Sequence, residues 1–109
     1  MTIFDYLTRL NQQRKLGRLA LWLARDREPA FWDQVKRRVI GMKSADARCY
    51  IETRAAQYLH PEVDKLLKRN PSLDASAGPK LLVKSAQTLT ALIMSRRLKA
   101  ASRPGPKAA

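Results

Sequence analysis

The chain has 109 residues, 45% of them hydrophobic, and carries 22 Lys and Arg against 9 Asp and Glu, for a net charge of +13. This length allows one domain with a modest core, and this hydrophobic content argues against global disorder. The basic excess indicates an anionic partner: nucleic acid most often, otherwise a membrane surface or an acidic protein. One cysteine and one histidine exclude an internal disulfide and any zinc site that lacks carboxylate ligands.

The first predicted helix begins at Ile3, because Thr2 and Asp5 have the spacing of a capping box with Asp in place of Glu. Its apolar face changes phase near Gly17, where a polar run separates two sets of leucines. The segment is therefore either one kinked helix or two helices, over about 3–13 and 15–26.

Trp22 lies one helical turn from both Arg18 and Arg25 on the polar side of this segment. Two interpretations fit the pattern. Trp22 packs against another helix and is flanked by arginines whose stems cover it, or it forms a stacking platform between side chains that reach phosphates.

The remaining helix boundaries are predicted from proline, glycine and cap residues. Pro29 and Pro61 are each expected to begin a new helix, since proline lacks the amide donor that an interior position needs. Gly41 is expected to close one helix and Ser44 to cap the next. The predicted segments are 29–41, 45–59, 61–70 and 79–100.

These elements predict an all-α fold: a compact bundle of five or six helices with a disordered basic C-terminal tail. The helical domain is expected over 1–100 and the tail over 101–109. The predicted core consists of the apolar residues that recur at helical spacing: Phe4, Leu7, Leu10, Leu19, Leu23, Phe31, Trp32, Val35, Val39, Ile51, Tyr58, Leu66, Leu82, Leu89 and Ile93.

No sequence motif indicates catalysis. The segment 31–54 has the outline of a helix-turn-helix with Gly41 in the turn, but Arg37 stands where a small residue is usual. No phosphate loop, dinucleotide fingerprint or nucleophile elbow is present. We therefore expect no enzyme, no catalytic residue, no metal, no cofactor and no small-molecule substrate.

The leading hypothesis is a non-enzymatic nucleic-acid-binding protein that contacts the phosphate backbone independently of sequence, alone or as a small helical subunit of a nucleoprotein complex. RNA or single-stranded DNA is favoured over duplex DNA, because Trp22 can stack on bases and no convincing recognition helix is present. The predicted contact residues are nine basic side chains and one tryptophan: Arg14, Lys15, Arg18, Trp22, Arg25, Arg37, Arg38, Arg96, Arg97 and Lys99.

The alternative hypothesis is a small helical adaptor whose basic surface docks an acidic protein partner. A third is a protein that lies on a membrane surface through the segment 16–23. The sequence contains no apolar run of membrane-spanning length and no signal-peptide pattern, which predicts a cytoplasmic protein without a membrane span.

Overall fold

Three long helices make up the computed structural model of the chain, which describes residues 2–71, 73 and 76–102. α1 comprises Ile3–Val39, α2 Ser44–Arg69 and α3 Ala77–Ser102. The described residues contain no strand, so the all-α prediction is confirmed, whereas the predicted number of five or six helices is wrong. α3 extends through Ser102, two residues into the predicted tail, and the rest of that tail, 103–109, lies outside the described residues.

The N-terminal cap of α1 is confirmed. The Thr2 hydroxyl accepts a hydrogen bond from the Asp5 amide at 3.3 Å, and the Asp5 carboxylate accepts one from the Thr2 amide at 3.3 Å. The start of α2 differs from the prediction, because Lys43 rather than Ser44 is the cap residue and no side chain caps the helix.

Gly17, Pro29 and Pro61 each lie inside a continuous helix, so the two-helix alternative at Gly17 and the predicted new helices at Pro29 and Pro61 are wrong. Each proline removes one hydrogen bond to the carbonyl four residues earlier, which costs about 3 kcal/mol or more in a helix interior. Burial on one side of the helix continues past each proline and offsets that cost. Ala24 and Phe31 are buried around Pro29, and Leu59 and Val63 around Pro61.

The core is built from one buried row on each helix, at spacings of three and four residues. α3 packs against both α1 and α2, which contact each other less. The buried hydroxyls of Ser85 and Thr90 on α3 donate to the carbonyls of Leu81 and Ala86, each at 2.7 Å, so neither is left unpaired. The core residues are Leu16, Ala20, Leu23, Ala24, Phe31, Val35, Val39, Ala47, Ile51, Ala55, Leu59, Val63, Leu66, Ala77, Leu81, Leu89, Ile93 and Met94.

α2 runs antiparallel to both other helices. The Phe31 and Tyr58 rings lie 5.3 Å apart, and Arg27 Nη2 is 2.9 Å from Glu62 Oε2, so α1 and α2 form a long hairpin. The helix-turn-helix interpretation of 31–54 is therefore wrong, because that motif requires two helices that cross steeply. α3 runs parallel to α1. The first turns of α3 lie beside Leu16, and Arg96, near the end of α3, pairs with Glu28, which is farther along α1.

The first turns of α1 project beyond the bundle. Leu16 is the first fully buried residue among the described side chains of α1, and the preceding 13 residues span about 20 Å. Phe4 is 80% exposed and Leu7 is 46% exposed, so their assignment to the core is wrong. Neither α2 nor α3 reaches far enough to cover them.

Replacing Gly17 by alanine is expected to raise the free energy of unfolding by about 1 kcal/mol, because alanine favours a helix interior and its Cβ would meet no atom within 4 Å. The matched control is Gly78→Ala, whose Cβ would lie 2.9 Å from Leu67 Cδ1 and should yield a smaller gain or a loss. Urea unfolding followed by circular dichroism measures both. A destabilising Gly17→Ala would show instead that α1 bends at Gly17.

Candidate nucleic-acid interface

A basic groove lies between the N-terminal part of α1 and the start of α3. We use this name for the surface formed by Arg9, Gln12 and Gln13 of α1 with Lys80 and Lys84 of α3. The groove has a volume of about 670 Å³, and none of the described residues that line it is acidic. Its three cationic side chains form no ion pair or hydrogen bond with any other described residue.

The basic groove exists because two parallel helices place two acid-free stretches side by side. α1 has no Asp or Glu between Asp5 and Asp26, and α3 has none at all. α2 ends at the same end of the bundle with Lys68 and Arg69, since Leu67 packs against Gly78 at the start of α3. Seven of the nine acidic residues lie elsewhere, between Asp26 and Asp64.

The outer face of α1 carries four of the predicted contact residues: Arg14, Arg18, Trp22 and Arg25. Trp22 is 53% exposed and lies outside the core and the partly buried residues packed against it, so it does not pack on another helix. The three arginines are exposed and form no ion pair or hydrogen bond with any described residue. At about 100° per residue this face lies on the opposite side of α1 from the basic groove.

Lys15 lines a shallow groove beside Arg14, Gly17 and Arg18 on the outer face. The predicted residues Arg37 and Arg38 begin about 18 Å beyond Arg25 along α1. Arg37 is exposed, whereas the Arg38 guanidinium lies 5.8 Å from the centroid of the Tyr50 ring, which Arg54 also approaches to 5.6 Å. These two arginines therefore do not join the Arg14–Arg25 cluster.

Arg96 and Arg97 contact other parts of the bundle. Arg96 forms an ion pair with the Glu28 carboxylate, in which Nη2 donates a hydrogen bond of 2.8 Å to Oε1 and Nε contacts Oε2. Arg97 Nε donates to the Val39 carbonyl at 2.8 Å and Nη2 donates to the Met42 carbonyl. This side chain therefore supplies hydrogen bonds to backbone carbonyls at the end of α1 and in the turn that follows. Lys99 lies with Arg96 and Trp32 beside an open depression of about 570 Å³.

The ten predicted residues therefore do not form one surface. The structure groups Arg14, Lys15, Arg18, Trp22 and Arg25 on α1, and Arg96 and Lys99 at a second position on α3. Sequence reasoning missed the basic groove, since it assigned Arg9, Lys80 and Lys84 to no site. The acid-free stretches were the available signal, but the parallel pairing of α1 with α3 is needed to join them.

Comparison of the chain with known protein families, with curated proteins and with solved structures finds no match. Among the described residues, none of the three helices contains an apolar stretch long enough to cross a membrane. No group of three or more His, Cys, Asp and Glu side chains in the described ranges is arranged to hold a metal ion. The assignment of a function therefore depends on the charge and geometry of the surface.

Replacing Arg97 by methionine is expected to lower the free energy of unfolding by about 1–3 kcal/mol, because it leaves the Val39 and Met42 carbonyls without their charged donor. Methionine keeps most of the apolar stem. Arg37→Met is the matched control on an exposed side chain and should change stability by less than about 0.5 kcal/mol. Urea unfolding measures both, and equal effects would show that Arg97 does not stabilise the α1–α2 turn.

Proposed function

We propose that the protein is a non-enzymatic nucleic-acid-binding protein that holds RNA or single-stranded DNA through contacts with the phosphate backbone. The observation that carries this proposal is the basic groove, where Arg9, Lys80 and Lys84 converge without an acidic neighbour among the described lining residues. When these side chains neutralise phosphates, cations condensed on the nucleic acid are released, and this release favours binding at low salt.

The rest of the groove suits the same ligand. Gln12 and Gln13 add amide groups that hydrogen-bond to phosphate or sugar oxygens without reading sequence. Because no carboxylate among the described lining residues neutralises the three cations, their field acts on the ligand undiminished by an ion pair with those residues. Binding independent of base sequence follows from this chemistry, since phosphate contacts carry no base information.

A single strand is favoured over duplex DNA for a structural reason. α1 and α2 form an antiparallel hairpin and not the two steeply crossed helices that present a recognition helix to the major groove. A single strand bends to follow a groove between two helices. The exposed Trp22 offers a base-stacking surface on the outer face of α1, which was the site expected from the sequence.

The proposal places the protein in the cytoplasm, where it acts alone or as a small subunit of a nucleoprotein complex. Cys49 is exposed and is the only cysteine of the chain, which suits a reducing compartment.

Removing the three groove cations together, as Arg9→Gln, Lys80→Gln and Lys84→Gln, is expected to weaken binding of a fluorescent single-stranded RNA. The slope of log affinity against log salt should fall by about 2, since each lost phosphate contact on a single strand removes about 0.7. Fluorescence anisotropy across a sodium chloride series measures the slope.

Two variants with the same loss of charge serve as controls. Arg14→Gln, Arg18→Gln and Arg25→Gln change the opposite side of α1, and Arg37→Gln, Lys43→Gln and Arg48→Gln change the other end of the bundle. A slope reduced only by the outer-face variant would assign the contacts to the site expected from the sequence. Equal reductions in all three would show that net charge alone acts, and no salt-dependent binding by the natural chain would refute the proposed function.

A further inference from the structure

The outer side of α1 carries a row of exposed residues at alternating spacings of three and four, which we call the outer stripe. This spacing is the seven-residue repeat of a helix that pairs with another helix. Three of its seven members are large apolar side chains: Phe4, Leu7 and Leu21 are 80%, 46% and 40% exposed. The outer stripe consists of Phe4, Leu7, Asn11, Arg14, Arg18, Leu21 and Arg25.

The core does not use this row. The buried residues of α1, such as Leu16, Ala20 and Leu23, lie on the other side of the helix and face α3 and α2. Ile3, next to Phe4, is 76% exposed and widens the apolar start of the outer stripe. α1 is thus a helix with two faces patterned for packing, of which the bundle covers one. Apolar side chains exposed in a row mark an interaction surface.

A second copy of the chain is a poor occupant of the outer stripe because of its charge. In a parallel pair in register, Arg14 would face Arg14 and Arg18 would face Arg18. In an antiparallel pair that sets Leu7 against Leu21, the symmetry axis passes through Arg14, so Arg14 again faces its equivalent. Like charges in direct opposition disfavour both arrangements.

Two other surfaces fit less well. A lipid surface requires an apolar face with its cations on the opposite side or at the edges, whereas Arg14 and Arg18 lie in line with the leucines. Nucleic acid would pair with the arginines and stack on Trp22, but it would leave Ile3, Leu7 and Leu21 unused, because aliphatic side chains neither stack on bases nor bind phosphate. A complementary occupant has apolar groups at both ends and carboxylates between them.

We infer that the outer stripe docks an amphipathic helix of an acidic partner protein. Apolar residues of that helix face Leu7 and Leu21, which are two heptads or about 21 Å apart. Asp or Glu residues between them face Arg14 and Arg18. The arginines select the partner and its register, and the apolar residues supply the buried area. This surface is separate from the basic groove and does not depend on nucleic-acid binding.

The test uses the full chain and two synthetic four-heptad peptides labelled with fluorescein. One has leucine at the core positions of its outer heptads and glutamate at those of its central heptads, and the other has lysine in place of the central glutamates. Fluorescence anisotropy should show binding of the glutamate peptide and little binding of the lysine peptide. The double variant Arg14→Glu with Arg18→Glu should bind the glutamate peptide about tenfold or more weakly. The same variant should gain binding of the lysine peptide.

Matched variants distinguish a loss of peptide binding from a loss of folding. The double variant Leu7→Ser with Leu21→Ser should also lose binding of the glutamate peptide. It should stay folded, since both side chains are exposed and their replacement leaves the core unchanged. Arg37→Glu with Arg48→Glu makes the same charge change on other exposed positions and should keep binding. Circular dichroism verifies that each variant is folded, and the Gln variant of the basic groove should bind the peptide as the natural chain does.

Four results would overturn the inference. The first is no difference between the two peptides, and the second is an equal loss in the Arg37 and Arg48 variant. The third is a stable dimer by light scattering that Leu7→Ser with Leu21→Ser dissociates, which would assign the outer stripe to a second copy. The fourth is loss of binding to phosphatidylglycerol vesicles or to single-stranded RNA in that same leucine variant, which would assign it to lipid or to nucleic acid.

Discussion

The unbroken burial of one side of α1 is the constraint on which the rest of the structure depends. The buried row passes from Ala24 to Phe31 across Pro29, where a single helix would be expected to end. Because the helix does not end there, α1 reaches 37 residues while α2 and α3 have 26 each. The surplus length projects at one end and exposes a second side of the helix. The apolar start of the outer stripe is exposed because α1 is longer than its partners, whereas the basic groove forms where α1 still lies beside α3.

Polar contacts hold this long helix at the position where its backbone is weakest. Immediately before Pro29, Arg27 reaches Glu62 on α2 and Glu28 reaches Arg96 on α3. These two residues fall on the inward row between Ala24 and Phe31, where apolar side chains would otherwise continue. Two ion pairs directed to two different helices fix the rotation of α1 about its axis more strongly than apolar packing alone, since each pair requires a specific geometry. Glu28 and Glu62, the acidic residues of these two pairs, lie outside the basic groove.

Helix type, the cap at Thr2 and part of the core could be predicted from the sequence, because they depend on local spacing. Eight of the fifteen predicted core residues are buried. The helix number could not, since Pro29 and Pro61 are strong local break signals and only tertiary burial on both sides overrides them. Phe4 and Leu7 were wrongly assigned to the core because an amphipathic pattern shows that a helix face is apolar but not what covers that face. The pairing of Arg9 with Lys80 and Lys84 was likewise out of reach, because it depends on which helices are neighbours and in which direction they run.

The exposed start of α1 has a consequence for the thermodynamics of any complex that it forms. Between the cap at Thr2 and the first buried residue, Leu16, these turns are stabilised by backbone hydrogen bonds with little help from the core. Their amide hydrogens should therefore exchange through local fraying, at a lower free energy than global unfolding. A ligand that covers this segment must first overcome the entropy of the frayed states, and part of its intrinsic affinity is spent on ordering the helix. The measured affinity at this end of the molecule thus includes a helix–coil equilibrium, which helix-favouring substitutions on uncontacted positions can shift without touching the ligand.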